Sequence, residues 1–158
     1  MKTLLTGANG LVGSTIKAEL RLYNRKHVDL REWLPTYTIF KTLQPEAVIH
    51  TAAKVGGVGA NMTHMGEFFY DNMMINLNVL EAARKTGVKK VVSFLSTCIF
   101  PDEVEYPITE DKLHLGEPHS SNYGYAYAKR MLEVQSRAYN QQYGVELEGN
   151  QMRFNAKY

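Results

Sequence analysis

The sequence predicts a doubly wound, mostly parallel α/β sheet, on three observations: a glycine-punctuated loop directly after a first strand, two further short β-branched strands, and long helical patterns leading from strand to strand. Thr3 to Thr6 is a short apolar run, followed by Gly7-Ala8-Asn9-Gly10-Leu11-Val12-Gly13 and then by Ser14 to Leu22, where apolar residues recur at helical spacing. This reads as strand, loop, helix. Ala47 to Ala53 and Lys90 to Leu95 read as further strands, each short and bounded by loop-formers. A helical pattern over Phe68 to Thr86 closes at Gly87, and a second over Tyr123 to Tyr143 closes at Gly144. Strands separated by helices of this length need crossovers, so the sheet is expected to be mostly parallel. Pro101 to Ser121 is the longest loop-like stretch.

At 158 residues, 44% hydrophobic and 22% charged, the chain has the size of one globular domain, taken as residues 1–158. The 18 basic and 16 acidic residues are spread along the chain, and no basic run interleaves with aromatics, so a nucleic-acid partner is not expected. No apolar stretch approaches a membrane span, and Met1-Lys2-Thr3 leads into a strand-like segment rather than a signal peptide, so a cytoplasmic protein without a membrane partner is expected. The lone cysteine, Cys98, excludes an internal disulfide and a multi-cysteine metal site. Its thiol is either buried filler or chemistry, and no metal is expected.

Gly7, Gly10 and Gly13 stand where a strand-loop-helix needs a tight turn, close backbone approach to a pyrophosphate, and helix packing. Their spacing differs from G-x-G-x-x-G, and the triplet alone is a weak signal. Its place after the first strand points to a dinucleotide in a Rossmann-type sheet. The residue that would read the adenosine ribose stays open: Asp29 suits a free ribose, and Arg25 or Lys26 suits a 2′-phosphate. A solvated charged turn accounts for each as well. Little room is left for a complete second strand between the first helix and His27.

Tyr125 and Lys129 are four apart in a helical pattern, so they share one face. An ammonium near a phenol favours the phenolate and brings the tyrosine toward usable acid-base chemistry. Ser96 falls just past the carboxyl end of Lys90 to Leu95, the edge where open α/β sheets bind ligands.

Glycine loop, serine after a central strand, then Tyr-x-x-x-Lys: this order resembles the extended short-chain dehydrogenases/reductases. Four segments further resemble the GDP-L-fucose synthase family. They are Ala52 to Gly57, Phe94 to Pro101 (with Ser-Thr-Cys-Ile-Phe-Pro), Pro118 to Arg130, and Ala138 to Gly144. The resemblance covers most of residues 1–144. It implies an NADP(H)-dependent enzyme that epimerises carbons 3 and 5 of GDP-4-keto-6-deoxymannose and reduces the 4-ketone to give GDP-L-fucose. It assigns Ser96 to polarising the ketone, Tyr125 to protonating it, Lys129 to tuning Tyr125 and holding the nicotinamide ribose, and Cys98 to the epimerisation base. Cofactor contacts are implied at Gly7, Gly10, Gly13, Ala52, Ala53, Tyr125 and Lys129. A homodimer through the helices around 68–86 and 123–143 is implied too.

The family continues beyond the Tyr-x-x-x-Lys helix into a segment bearing a histidine that serves as the epimerisation acid, followed by a C-terminal substrate domain. This chain ends at Tyr158, and residues 148–158 do not read like that continuation. The expectation is a truncated copy, missing about one strand and loop around Leu22 to His27, with weakened GDP-sugar binding and doubtful activity on its own. Two alternatives stand beside it: an inert nucleotide-binding or dimerisation module, and another extended short-chain nucleotide-sugar epimerase or reductase that does not need Cys98. Asn61 to His64 are weaker site candidates, Asn72 or Asn78 is expected to hold backbone groups, and Met62, Met65, Met73 and Met74 are expected to fill core.

Overall fold

A computed structural model describes residues 2–16, 20–23, 28–144 and 146–148. The elements run β1 (Thr3–Thr6), α1 (Leu11–Thr15), β2 (Leu20–Tyr23), α2 (Trp33–Leu43), β3 (Ala47–His50), α3 (Val58–Thr63), α4 (Met65–Lys85), β4 (Lys90–Ser93), α5 (Tyr123–Tyr143) and β5 (Glu146–Glu148). Every strand pair is parallel, in the order β2-β1-β3-β4-β5. The chain leaves β1 toward β2 on one side and later returns to β3 on the other. The switch point, with its ligand crevice, therefore lies at the carboxyl ends of β1 and β3.

Register explains the main core. Leu4, Val48 and Val91 are paired neighbours across β1, β3 and β4 and share one face. Phe40 and Leu43 of α2, Val79, Leu80 and Ala83 of α4, and Leu132 of α5 pack onto that face. Burying one such aliphatic or aromatic side chain contributes about 1.5–3 kcal/mol. Right-handed crossovers place α1, which runs the opposite way across the sheet, on the other face. There Leu5 is fully buried, while Ile49 and Val92 are half-buried.

Two features differ from the sequence expectation. Ser14 to Leu22 is not one helix: α1 ends at Thr15, Ile16 is extended, and Leu20 to Tyr23 form β2 beside β1. Ile16 and Leu20 satisfy helical spacing, but Leu20 and Leu22 equally satisfy strand alternation, and pairing with β1 decides. A second strand is thus present at Leu20 to Tyr23, while residues 24–27, where the missing loop was expected, lie outside the described residues. The second feature is α2, unassigned from sequence because it carries Pro35 and β-branched Thr36, Thr38 and Ile39. Pro35 sits in the first turn, where no intrahelical N–H bond is lost, and Thr36, Phe40 and Leu43 form its buried stripe.

The helix α5 has the expected bounds, and Gly144 ends it in the left-handed conformation at φ 64°. Within the loop expected over Pro101 to Ser121, Leu113 packs with Ile99 and Phe100 into a second, small core. That core anchors the segment after β4. Of the methionines, Met65, Met73 and Met74 are half-buried, but Met62 is exposed and fills no core.

Candidate active site

A groove of about 680 Å³ runs along the carboxyl edge of β1, β3 and β4. Gly7, Gly10 and Gly13 line one part, Thr51 to Val55 the next, and Phe94, Leu95, Tyr125 and Lys129 the far part. The sequence-predicted residues thus share one cavity, apart from Ser96 and Cys98, which join it through Tyr125.

The glycines divide by cause. Gly7 has φ 75°, and a Cβ there would lie 2.6 Å from the Ala52 nitrogen and 2.7 Å from Thr51 Oγ1. A Cβ on Gly13 would strike the Gly7 carbonyl. Gly10 is different: it caps α1 in extended geometry, and its Cβ would meet only the Gly7 oxygen at 3.3 Å. Space above Gly10 is therefore left open by the protein, as a cradle for a pyrophosphate requires. With five residues, α1 offers its first-turn N–H groups and little dipole.

At the far end, Ser96 caps the single 3₁₀ turn Thr97–Ile99, and its Oγ accepts from the Cys98 backbone N–H at 3.4 Å and from the Cys98 thiol at 3.1 Å. Ser96 also lies near enough to Tyr125 to pull its pKa down. Lys129 is buried, donates Nζ to the Phe94 carbonyl at 2.8 Å, and stands 6.0 Å from the Tyr125 ring centre. Ser96, Cys98, Tyr125 and Lys129 form one connected group.

Its electrostatics differ from the sequence expectation. Burial pushes Tyr125 up to about 12; a charged Cys98 adds to this and Ser96 opposes it. Burial, and not the Lys129 ammonium 6.0 Å from the ring centre, sets this shift. Burial likewise pushes Lys129 down to about 8. The Cys98 thiol is raised by burial, with Ser96 and the Lys129 charge pulling the other way. At neutral pH Tyr125 and Cys98 both keep their protons, so Tyr125 is poised as a proton donor and Cys98 must be ionised before it can act as a base.

Beneath the site lies a network missed from sequence. His50 is fully buried, with Nδ1 2.7 Å from Thr6 Oγ1 and Nε2 3.1 Å from Asn76 Oδ1; Asn76 Nδ2 donates to the Ala128 carbonyl at 3.3 Å. It ties β1, β3, α4 and α5 together beside Lys129. Burial pushes His50 down to about 3, the Lys129 charge adds to this, and the Asn76 bond opposes it. The unfolded chain binds a proton at His50 near pH 6.5 and the folded chain does not, so folding weakens as pH falls from 6.5 toward 3. The slope expected from this one proton is roughly 1.4 kcal/mol per pH unit. In His50→Gln that share of the acid limb should vanish in urea titrations at stepped pH; an unchanged limb would refute the assignment.

Another part of the groove lining carries a second network. Arg31 pairs with Asp29 at 2.6 Å and Asp71 at 2.9 Å, while Lys54 pairs with Asp71 and Glu67, each at 2.9 Å. Asp29 lines the groove already paired to a cation, and Arg25 and Lys26 lie outside the described residues. Asn72 holds Lys54 through both its N–H and its carbonyl, and Asn78 holds the Leu30 and Arg31 carbonyls, the structural roles anticipated for them. Asn61 holds the Gly56 and Gly57 carbonyls, and His64 is exposed beside Thr63. Neither reaches the groove lining. Among the described residues no cluster of His, Cys, Asp or Glu could hold a metal ion.

Residues 3–149 match the profile of the NAD dependent epimerase/dehydratase family. The chain belongs to that family. It is 46% identical over 153 residues to a GDP-L-fucose synthase of Dictyostelium discoideum, covering 90% of this chain and 48% of that protein. Among solved structures, a GDP-L-fucose synthetase from Naegleria fowleri bound to NADP matches with a TM-score of 0.81 and 43% identity, over 92% of this chain and 50% of the other. A UDP-glucose 4-epimerase of Thermus thermophilus in complex with NAD matches at 0.77 and 29%, over 93% and 53%. The chain spans about half the length of the curated relatives it matches. No helix among the described residues is long and apolar enough to cross a membrane.

Proposed function

We propose that this chain is the NADP(H)-binding and catalytic part of a GDP-L-fucose synthase, acting on GDP-4-keto-6-deoxymannose. The observation that carries the reading is Ser96 Oγ, which accepts from the Cys98 thiol at 3.1 Å and acts on the nearby Tyr125, so one hydroxyl stands between a candidate base and a candidate acid. A reductase alone needs Ser96, Tyr125 and Lys129; an epimerase of the proposed kind also needs Cys98. Residues 1–158 are read as one cytoplasmic nucleotide-binding domain.

Gly7, Gly10, Gly13, Ala52, Ala53 and Lys129 would hold the cofactor, and the open cradle at Gly10 supports the fit. NADPH, when bound, supplies hydride for the ketone. In epimerisation, ionised Cys98 removes a proton from a carbon beside that ketone, made acidic by the adjacent carbonyl, and a separate acid must return one to the opposite face. Ser96 accepts from the thiol, so its own O–H can turn to a ketone oxygen and polarise it. Tyr125, which keeps its proton at neutral pH, gives it to that oxygen. A homodimer through α4 and α5 belongs to the same reading; Tyr70 and Leu77, seven apart on α4, are 61% and 40% exposed.

Calorimetric titration with NADPH and NADP⁺, with NADH and NAD⁺ as controls, tests the cofactor reading, and sedimentation of the same sample tests the dimer. Saturable micromolar binding that prefers the phosphorylated forms is expected. A folded sample that binds none of the four would favour the inert-module alternative.

A further inference from the structure

Arg130 follows Lys129 on α5 and is 4% exposed, yet no role has been given to it. Its Nε donates to the carbonyl of Ile99, the last residue of the turn that carries Cys98. Its guanidinium carbon lies 5.3 Å from the Tyr127 ring centre, and its Nη2 has no hydrogen-bond partner among the described residues. A buried cation with an unsatisfied donor is costly, and apolar residues of similar volume commonly replace such groups without loss of stability. Stability is therefore a poor reason for an arginine here.

Position supplies a better one. Lys129 holds the Phe94 carbonyl and Arg130 holds the Ile99 carbonyl. Two consecutive residues of one rigid helix thus grip both ends of the six-residue segment that presents Ser96 and Cys98. The Ser96 cap orders the inside of this segment, but it cannot fix the segment against α5. We propose that Arg130 is a positioning residue that holds the Ser96–Cys98 turn against α5, so that the Cys98 sulfur stays on Ser96 beside Tyr125. This rests on the reading of Cys98 as the epimerisation base, but its test does not.

Because Cys98 is the only cysteine, its alkylation by iodoacetamide reports on this turn alone. Arg130→Met and Arg130→Gln both remove the grip, and either suffices if the other does not fold; Arg130→Lys keeps a cation and a donor. Val79→Ala, which weakens the main core away from the turn, is the control. Alkylation of Arg130→Met or Arg130→Gln should be faster by about tenfold, the factor expected from losing one charge-assisted hydrogen bond that keeps the turn closed. The pH midpoint of alkylation should also move down toward that of a solvated thiol, since burial is what raises it. Arg130→Lys should restore most of both, and Val79→Ala should leave the midpoint in place. Wild-type rate and midpoint in the methionine or glutamine variant would overturn the proposal. So would an equal midpoint shift in Val79→Ala, which would make the effect general loosening. The cofactor titration decides the functional reading separately, so failure of one is distinguishable from failure of the other.

Discussion

Cys98→Ser is expected to lower solvent-deuterium incorporation beside the ketone of GDP-4-keto-6-deoxymannose by roughly a thousandfold, within the range for removing a positioned base. Serine keeps the side chain's shape and a hydroxyl near Ser96, but an alcohol in that buried place has no accessible anion. Tyr125→Phe should do the converse: NADPH oxidation falls by about a hundredfold or more while deuterium incorporation survives in larger part. Proton NMR of the sugar in deuterated buffer reads the first, and loss of reduced-cofactor absorbance reads the second. The pH dependence follows from burial of the thiol. Because the Cys98 pKa is raised, the thiolate is scarce at neutral pH, so wild-type exchange should climb with pH without levelling off below the usual thiol range. Undiminished exchange in Cys98→Ser would leave a short-chain epimerase or reductase of another kind as the better reading.

The legible part of this protein was the part written in local chemistry. Tyr125 and Lys129 share a face because helix geometry fixes it, and α5 has clear bounds because Gly144 ends it. Ser96 was found because it falls just past the carboxyl end of a strand, and Cys98 because the Ser-Thr-Cys-Ile-Phe-Pro block resembles the family's. What escaped depended on pairing across long sequence distances. Leu20 to Tyr23 became a strand only through β1, and α2 was obscured by a proline that its first turn tolerates. The raised pKa values of Tyr125 and Cys98 escaped for a related reason. Sequence names the neighbouring cation, while burial, which dominates both, belongs to the assembled fold. His50 and Arg130 were given no role from sequence, since their hydrogen-bond partners lie 26 or more positions away.

The glycine loop yields the second large effect, through a contrast within it. Gly7→Ala should destabilise the fold by about 2–4 kcal/mol, combining a left-handed backbone for an L-residue with overlap against the β3 loop. Overlap is with backbone at Ala52, which cannot rotate away. Gly10→Ala should cost less than about 1 kcal/mol, because its backbone is extended and a methyl group needs the Gly7 oxygen to give by only a few tenths of an ångström. Yet Gly10→Ala should weaken NADPH by at least about tenfold, since the methyl occupies the approach that a pyrophosphate needs. Urea denaturation and calorimetry on the two variants separate the causes. If Gly10→Ala binds NADPH like wild type while Gly7→Ala is destabilised as expected, the glycines serve only the turn, and the pyrophosphate does not sit above Gly10. If both variants lose binding but only Gly7→Ala loses stability, the space at Gly10 exists for the ligand.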